Sequence, residues 1–167
     1  IERPVAGGRM LARDQGRVVF VAGAIPGERV RARVEKVQRH VVWADTTAVL
    51  EPSPDRRVPI CDPLCGGALY AHIAYERQRE LKGAVIADAF RRIGKIDIGQ
   101  APDVASSPEA GYRLRARLHV KAGRVGFFRE ASHTICDAAS TGQLDARAIL
   151  AVESLRDRLG SRLDRKS

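Results

Sequence analysis

The chain opens with short apolar runs separated by turn residues. Gly7-Gly8 and Asp14-Gln15-Gly16 bracket Arg9–Arg13, and Arg17–Val21 follows. Pro26-Gly27 marks another turn. Arg29 to Val34 then alternates strictly, which predicts a strand with Arg29, Arg31 and Arg33 towards solvent and Val30, Ala32 and Val34 towards a core. Val41–Leu50 is one more β-rich run. Several short strands with close turns and no helix predict a small five-stranded Greek-key barrel over residues 1–52.

The pattern changes at Pro52-Ser53-Pro54-Asp55-Arg56-Arg57-Val58-Pro59, a proline-rich linker and an expected domain boundary. Ile73, Leu81, Val85, Ala89 and Ile93 fall near helical spacing, predicting a helix over 71–93. Residues 96–111 read as a loop. Tyr112–Lys121 alternates again, Arg113, Arg115 and Arg117 against Leu114, Ala116 and Leu118, and reads as a strand. Gly123–Phe128 and Thr134–Cys136 continue a sheet. Residues 145–164 read as a helix with Ile149, Val152, Leu155 and Leu159 on one stripe. The expected class is mainly β with α+β. A barrel over 1–52 precedes a central α+β domain over 53–150, and a C-terminal helix occupies 151–167.

Charge sharpens this picture. The 167 residues carry 29 basic and 20 acidic side chains, a formal net charge of +9, and most of the excess is Arg. Residues 1–57 hold 11 basic and 7 acidic groups, residues 58–108 hold 6 and 6, and residues 109–167 hold 12 and 7. The excess thus sits in the two regions that contain an Arg-x-Arg-x-Arg run. Arginine at alternate strand positions makes a row of cations about 7 Å apart, suited to a phosphate backbone. Nucleic acid is the expected partner, against the plainer reading of a solvated strand face. Phe127 and Phe128 are adjacent on a strand and point to opposite faces. One can be core and the other free to stack on a base. Phe127 is taken as the stacking ring, with Arg129 on its side. Trp43 reads either as a base platform or as a buried ring.

No stretch approaches the length of a membrane span and no signal peptide is visible. Three cysteines, an odd number, fit a reducing cytoplasm better than a secreted disulfide framework.

Five blocks in order carry a resemblance. Val19-Phe20-Val21-Ala22-Gly23-Ala24-Ile25-Pro26-Gly27-Glu28-Arg29-Val30 is followed by "SPDRRVPICDPLCGGA" at 53–68. Next come His72, Tyr75, Gln78 and Lys82, then Tyr112-Arg113-Leu114-Arg115, then Gly126-Phe127-Phe128-Arg129 with Ser132-His133. The chain resembles the RNA uracil-C5 methyltransferase family, whose members modify ribosomal and transfer RNA. Residues 1–52 are similar to its TRAM domain, an OB-like RNA-binding barrel. The expected RNA contacts are Arg29, Arg31, Arg33, Arg113, Arg115, Arg117, Phe127, Arg129 and His133. The resemblance also implies S-adenosylmethionine as methyl donor for a full-length enzyme, with rRNA or tRNA as substrate. The family's catalytic half, with its Gly-rich loop, nucleophilic Cys and Glu base, has no counterpart here. The chain is therefore expected to be the monomeric, cytoplasmic front part of such an enzyme, without catalytic residues. A stand-alone RNA-binding module is the alternative, and a metal-dependent redox protein a third reading.

The family often carries an iron–sulfur cluster on four Cys. Cys61 and Cys65 match the first two positions with a shorter gap, Ala68 stands at the third, and the fourth falls near Thr141. Cys136 lies five residues earlier. A four-thiolate cluster is not expected. Zinc, needing a fourth ligand such as His72 or His133, and a remodelled cluster stay open beside the absence of any metal. In that last case Cys136 is a small core residue and Cys61 and Cys65 lie in a loop.

Overall fold

A computed structural model describes residues 1–130 and 132–163, with side chains described as far as residue 158. Two compact units are present, each discontinuous in sequence: 1–59 with 69–106, and 60–68 with 107–167.

The first unit is built on five strands: β1 (Arg3–Pro4), β2 (Met10–Asp14), β3 (Arg17–Ala22), β4 (Arg29–Gln38) and β5 (Val41–Glu51). They form one sheet in the order β1-β2-β3-β5-β4, with β3 parallel to β5 and the other pairs antiparallel. Five strands are present as the turn spacing predicts, in the OB-like β fold that the resemblance implies. Gln15 and Gly16, both at positive φ, close the β2–β3 hairpin. The core joins Met10, Val21, Ala24 and Ile25 to Ile73 and Leu81, so helix α1 (Tyr75–Ala89) shares its unit with the strands rather than with the chain that follows. Beyond Ala89 the helix loosens into one π-type turn, Phe90–Gly94, which Lys95 ends in the left-handed region. Ile93, expected on the buried stripe, is 80% exposed for that reason. The loop that follows lies along α1. Gly83 lets the Pro102 carbonyl come within 2.6 Å of where a Cβ would stand, and Arg79 donates to the Val104 carbonyl at 2.6 Å.

The core face expected for β4 needs correction. Ala32 is exposed and Val34 is 56% exposed. β4 is an edge strand, and its pairing to β5 shifts register at three places, after Arg29, Arg31 and Val34. Each irregularity breaks strict alternation. The apolar side of β4 therefore lines an open trough with Ala12, Val19 and Val42, rimmed by Arg13 and Arg17.

The second unit holds β6 (His119–Lys121), β7 (Arg124–Phe128) and β8 (Ile135–Asp137), an antiparallel sheet in that order, and α2 (Ala146–Leu163). The Asp145 carboxylate accepts the Arg147 amide at 2.9 Å and caps α2. Val125, Phe127, Ala138, Leu144 and Val152 form the core, with Ile149 packed against it. Leu155 is exposed. The side chain of Leu159 and residues 164–167 of the expected C-terminal helix lie outside the described residues. The strand expected over Tyr112–Lys121 is shorter: only His119–Lys121 joins a ladder, and Arg113 makes one parallel bridge to Leu144. Residues 114–118 have no neighbouring strand among the described residues, and alternation without a hydrogen-bonding partner does not make a sheet.

Candidate nucleic-acid interface

In the first unit the basic row on β4 is aimed by a buried carboxylate. Glu28 is 2% exposed and ends the Ala24-Ile25-Pro26-Gly27 turn. Arg56 from the linker grips it with both arms, Nε to Oε1 and Nη2 to Oε2, each 2.6 Å. The Ser53 amide donates to Oε1 at 3.1 Å and the Ile25 amide to Oε2 at 2.9 Å. Arg56 also donates to the Gly23 carbonyl at 2.9 Å. Burial by itself raises the pKa of Glu28, but the Arg56 bonds and the two amides outweigh it and hold the carboxyl below its ordinary value. Beside it, His72 is buried. Its Nε2 donates to the Ala24 carbonyl at 3.1 Å, and burial pushes its pKa down. Arg9 is another inward cation, bonded to the Ala44 carbonyl and lying over Trp43. Trp43 is half-buried, edge-on to Phe20.

The three predicted β4 cations are all exposed. Arg29 pairs with Glu51 at 3.1 Å and Arg33 with Glu35 at 2.9 Å. Arg31 has no ion pair among the described residues. Such exposed pairs contribute little to stability.

In the second unit the loop 60–68 is tied to β7 and β8. Gly66, at φ 55°, lies so close to Phe127 that a Cβ would fall 2.4 Å from its ring. Cys65 is disulfide-bonded to Cys136 across 71 positions, with Cα atoms 5.9 Å apart. Neither Cys136 as a lone core residue nor Cys65 as a loop relic therefore stands. Cys61 alone is free, and burial with the neighbouring Asp62 raises its thiol pKa. The donor set does not fit a four-thiolate cluster. Two sulfurs are bonded to each other, Ala68 has no ligand atom, and the Thr141 hydroxyl is buried and donates to the Ala138 carbonyl at 2.8 Å.

Three predicted contacts of this unit are placed otherwise than expected. Phe127 is buried, and the ring left on the outer face is Phe128. It stacks on His119 at 3.7 Å and meets His133 edge-on at 5.1 Å. The parity of adjacent strand residues is as predicted, but Gly66 and Arg113 cover Phe127, so that ring is the inner one. Arg113 is half-buried between Tyr112 and Phe127, its amide bonded to the Gln143 carbonyl at 2.9 Å. Arg129 is held by Asp62 at 2.8 Å, and the Leu64 amide and Arg129 together lower the Asp62 pKa against the effect of burial. Arg115, Arg117 and His133 are exposed. His119, Lys121 and Arg124 were not anticipated. The signal was present: the Ala122-Gly123 turn sets His119 opposite Gly126 and Lys121 opposite Arg124.

The family model of the TRAM domain matches residues 1–46. An uncharacterised RNA methyltransferase of Parasynechococcus marenigrum is 35% identical over 159 residues, covering 91% of this chain and 34% of that protein. The 23S rRNA (uracil(1939)-C(5))-methyltransferase of Pseudomonas putida is 38% identical over 143 residues, covering 81% and 32%. That of Alkalilimnicola ehrlichii is 40% identical over 116 residues, covering 68% and 26%. Over most of its length the chain is thus similar to a part of RNA uracil-C5 methyltransferases. It spans about a third of the length of these relatives. The fold is also similar to the Pyrococcus abyssi tRNA (uracil-54, C5)-methyltransferase solved with S-adenosyl-L-homocysteine, with a TM-score of 0.64 and 23% identity over 97% of this chain and 36% of that one. Glu28 lies within the segment that matches the TRAM model and Arg56 beyond it, so the pair stands at the base of the basic edge strand. Among the described residues no strand runs through a glycine-rich turn into a helix, the unit that cradles an adenosyl cofactor. No described helix is long and apolar enough to cross a membrane.

Proposed function

We propose that this chain is the RNA-binding front of an S-adenosylmethionine-dependent RNA uracil-C5 methyltransferase acting on rRNA or tRNA. Its two units grip a folded RNA, and the methyl transfer belongs to a domain outside this sequence. The observation that carries this reading is the breadth of the relatives' match, which runs through both units and not through the TRAM domain alone. The exposed cations agree with it: Arg29, Arg31 and Arg33 on β4, and Arg115 and Arg117 before β6. Binding then rests on phosphate contacts, and a cytoplasmic location goes with such a substrate.

The test is titration of a labelled rRNA fragment at several salt concentrations. Each phosphate contact adds about 0.7–0.9 to the slope of log affinity against log salt. Replacing Arg31 and Arg33 by Ala, or Arg115 and Arg117 by Ala, lowers the slope by about 1.5 for every RNA sequence alike. Unchanged affinity and slope in both double variants reduce these cations to solvated surface and remove the reading's physical support.

A further inference from the structure

The outer face of the β6–β7 hairpin carries two features that its own fold does not use. The first is a set of rings. His119 and Phe128 stack with centroids 3.7 Å apart and planes 14° off parallel, and His133 abuts Phe128 edge-on. Gly126 is directly opposite His119, and Phe128 is the diagonal neighbour of His119, two residues on. His133 is exposed, and His119 and Phe128 are half-buried. The second is a pair of cations. Lys121 and Arg124 are direct cross-strand partners, both exposed. Among the described residues no carboxylate pairs with either. Like charges directly opposite across strands repel and weaken a hairpin, unless an anion lies between them.

Lys121 stands two residues from His119, about 7 Å along the strand, and donates to the His133 carbonyl at 3.4 Å. A flat π surface and an unneutralised cation pair therefore lie side by side on one face. We propose that this face binds an unpaired nucleotide of the RNA, with the base extending the His119–Phe128 stack against His133 and the phosphate bridging Lys121 and Arg124. A base offers the ring face, and its phosphate neutralises the repelling pair. A duplex end or an acidic peptide meets only one of the two needs. The proposal rests on the RNA-binding reading above and assigns the single-strand contact to these five residues.

The experiment uses the full chain with a labelled twelve-nucleotide oligouridylate and a blunt hairpin duplex of equal charge. His133→Ala and Phe128→Leu are expected to weaken oligouridylate binding by roughly tenfold or more, the loss of one stacked base, with the salt slope unchanged. Lys121→Ala with Arg124→Ala lowers the slope for oligouridylate by about 1.4, two contacts at the single-strand value. Duplex binding is unaffected by the ring variants. Should Phe128→Leu lose its fold by circular dichroism, the exposed His133→Ala decides alone. Ring variants that bind oligouridylate as tightly as the unaltered chain overturn the proposal, and so does competition by polyglutamate equal to that by oligouridylate. Both results leave the RNA reading standing if the unaltered chain still binds RNA. An unaltered chain that binds neither RNA overturns that reading first, and this assignment with it.

Discussion

Replacing Glu28 by Ala removes the buried carboxylate that accepts four hydrogen bonds, from the Ile25 and Ser53 amides and twice from Arg56. The Glu28 side chain is fully enclosed, and that of Arg56 is 22% exposed. Deleting one partner of a buried ion pair costs about 3–5 kcal/mol, because the other charge is left behind. Partial access of water to Arg56 puts the expected loss near the lower end, about 3 kcal/mol. For a unit of this size each kcal/mol lowers the melting temperature by about 4 °C or more, so the drop is roughly 12 °C. Thermal and urea unfolding followed by circular dichroism measure it. Glu28→Gln, which keeps the shape but turns an amide NH2 towards Arg56, falls between the two. The loss also depends on pH. Glu28 has its pKa lowered in the folded chain, so its contribution is complete above the unfolded value of 4.5 and fades as pH falls below it towards the folded value. The gap between Glu28→Ala and the unaltered chain therefore narrows in acid. A melting shift of only a degree or two at neutral pH, or a gap that widens in acid, refutes this account of how the turn before β4 is held.

Gly66→Ala sets a Cβ against the Phe127 ring and forces a left-handed backbone on alanine. It lowers second-unit stability by about 1–3 kcal/mol, read by urea unfolding, and an unchanged midpoint contradicts the contact. Cys65→Ser opens a loop of 71 positions, costing about 4 kcal/mol on the chain-entropy relation. In the unaltered chain dithiothreitol produces the same shift, and in the variant none. His72 has its pKa lowered by burial, so the unfolded chain takes up a proton at this residue before the folded one does. Stability falls as pH drops through about 6.5, and His72→Gln flattens that part of the pH profile of the unfolding midpoint.

The sequence alone determined β2 to β5 of the first unit, though not β1, because period-two alternation between turn residues is a local pattern and Gln15-Gly16 and Pro26-Gly27 dictate where the chain reverses. It carried the signals behind the proposed partner class as well, an arginine excess confined to two segments and five ordered motifs. It also determined that Phe127 and Phe128 face opposite ways, since that follows from strand geometry alone. Which of the two is inside was decided by residues 61 positions away: Gly66 packs on Phe127, and Phe128 is left to His119 and His133. The same holds for Glu28 and Arg56, separated by 28 positions, and for Cys65 and Cys136. A charge or thiol reads as surface, ligand or core only when its partner is known, and these partners are set by the packing of distant segments. The β4 trough and the missing ladder over residues 114–118 have the same cause. Alternation states which side chains share a face, but whether that face is covered or paired depends on a neighbour that the strand's own residues do not specify.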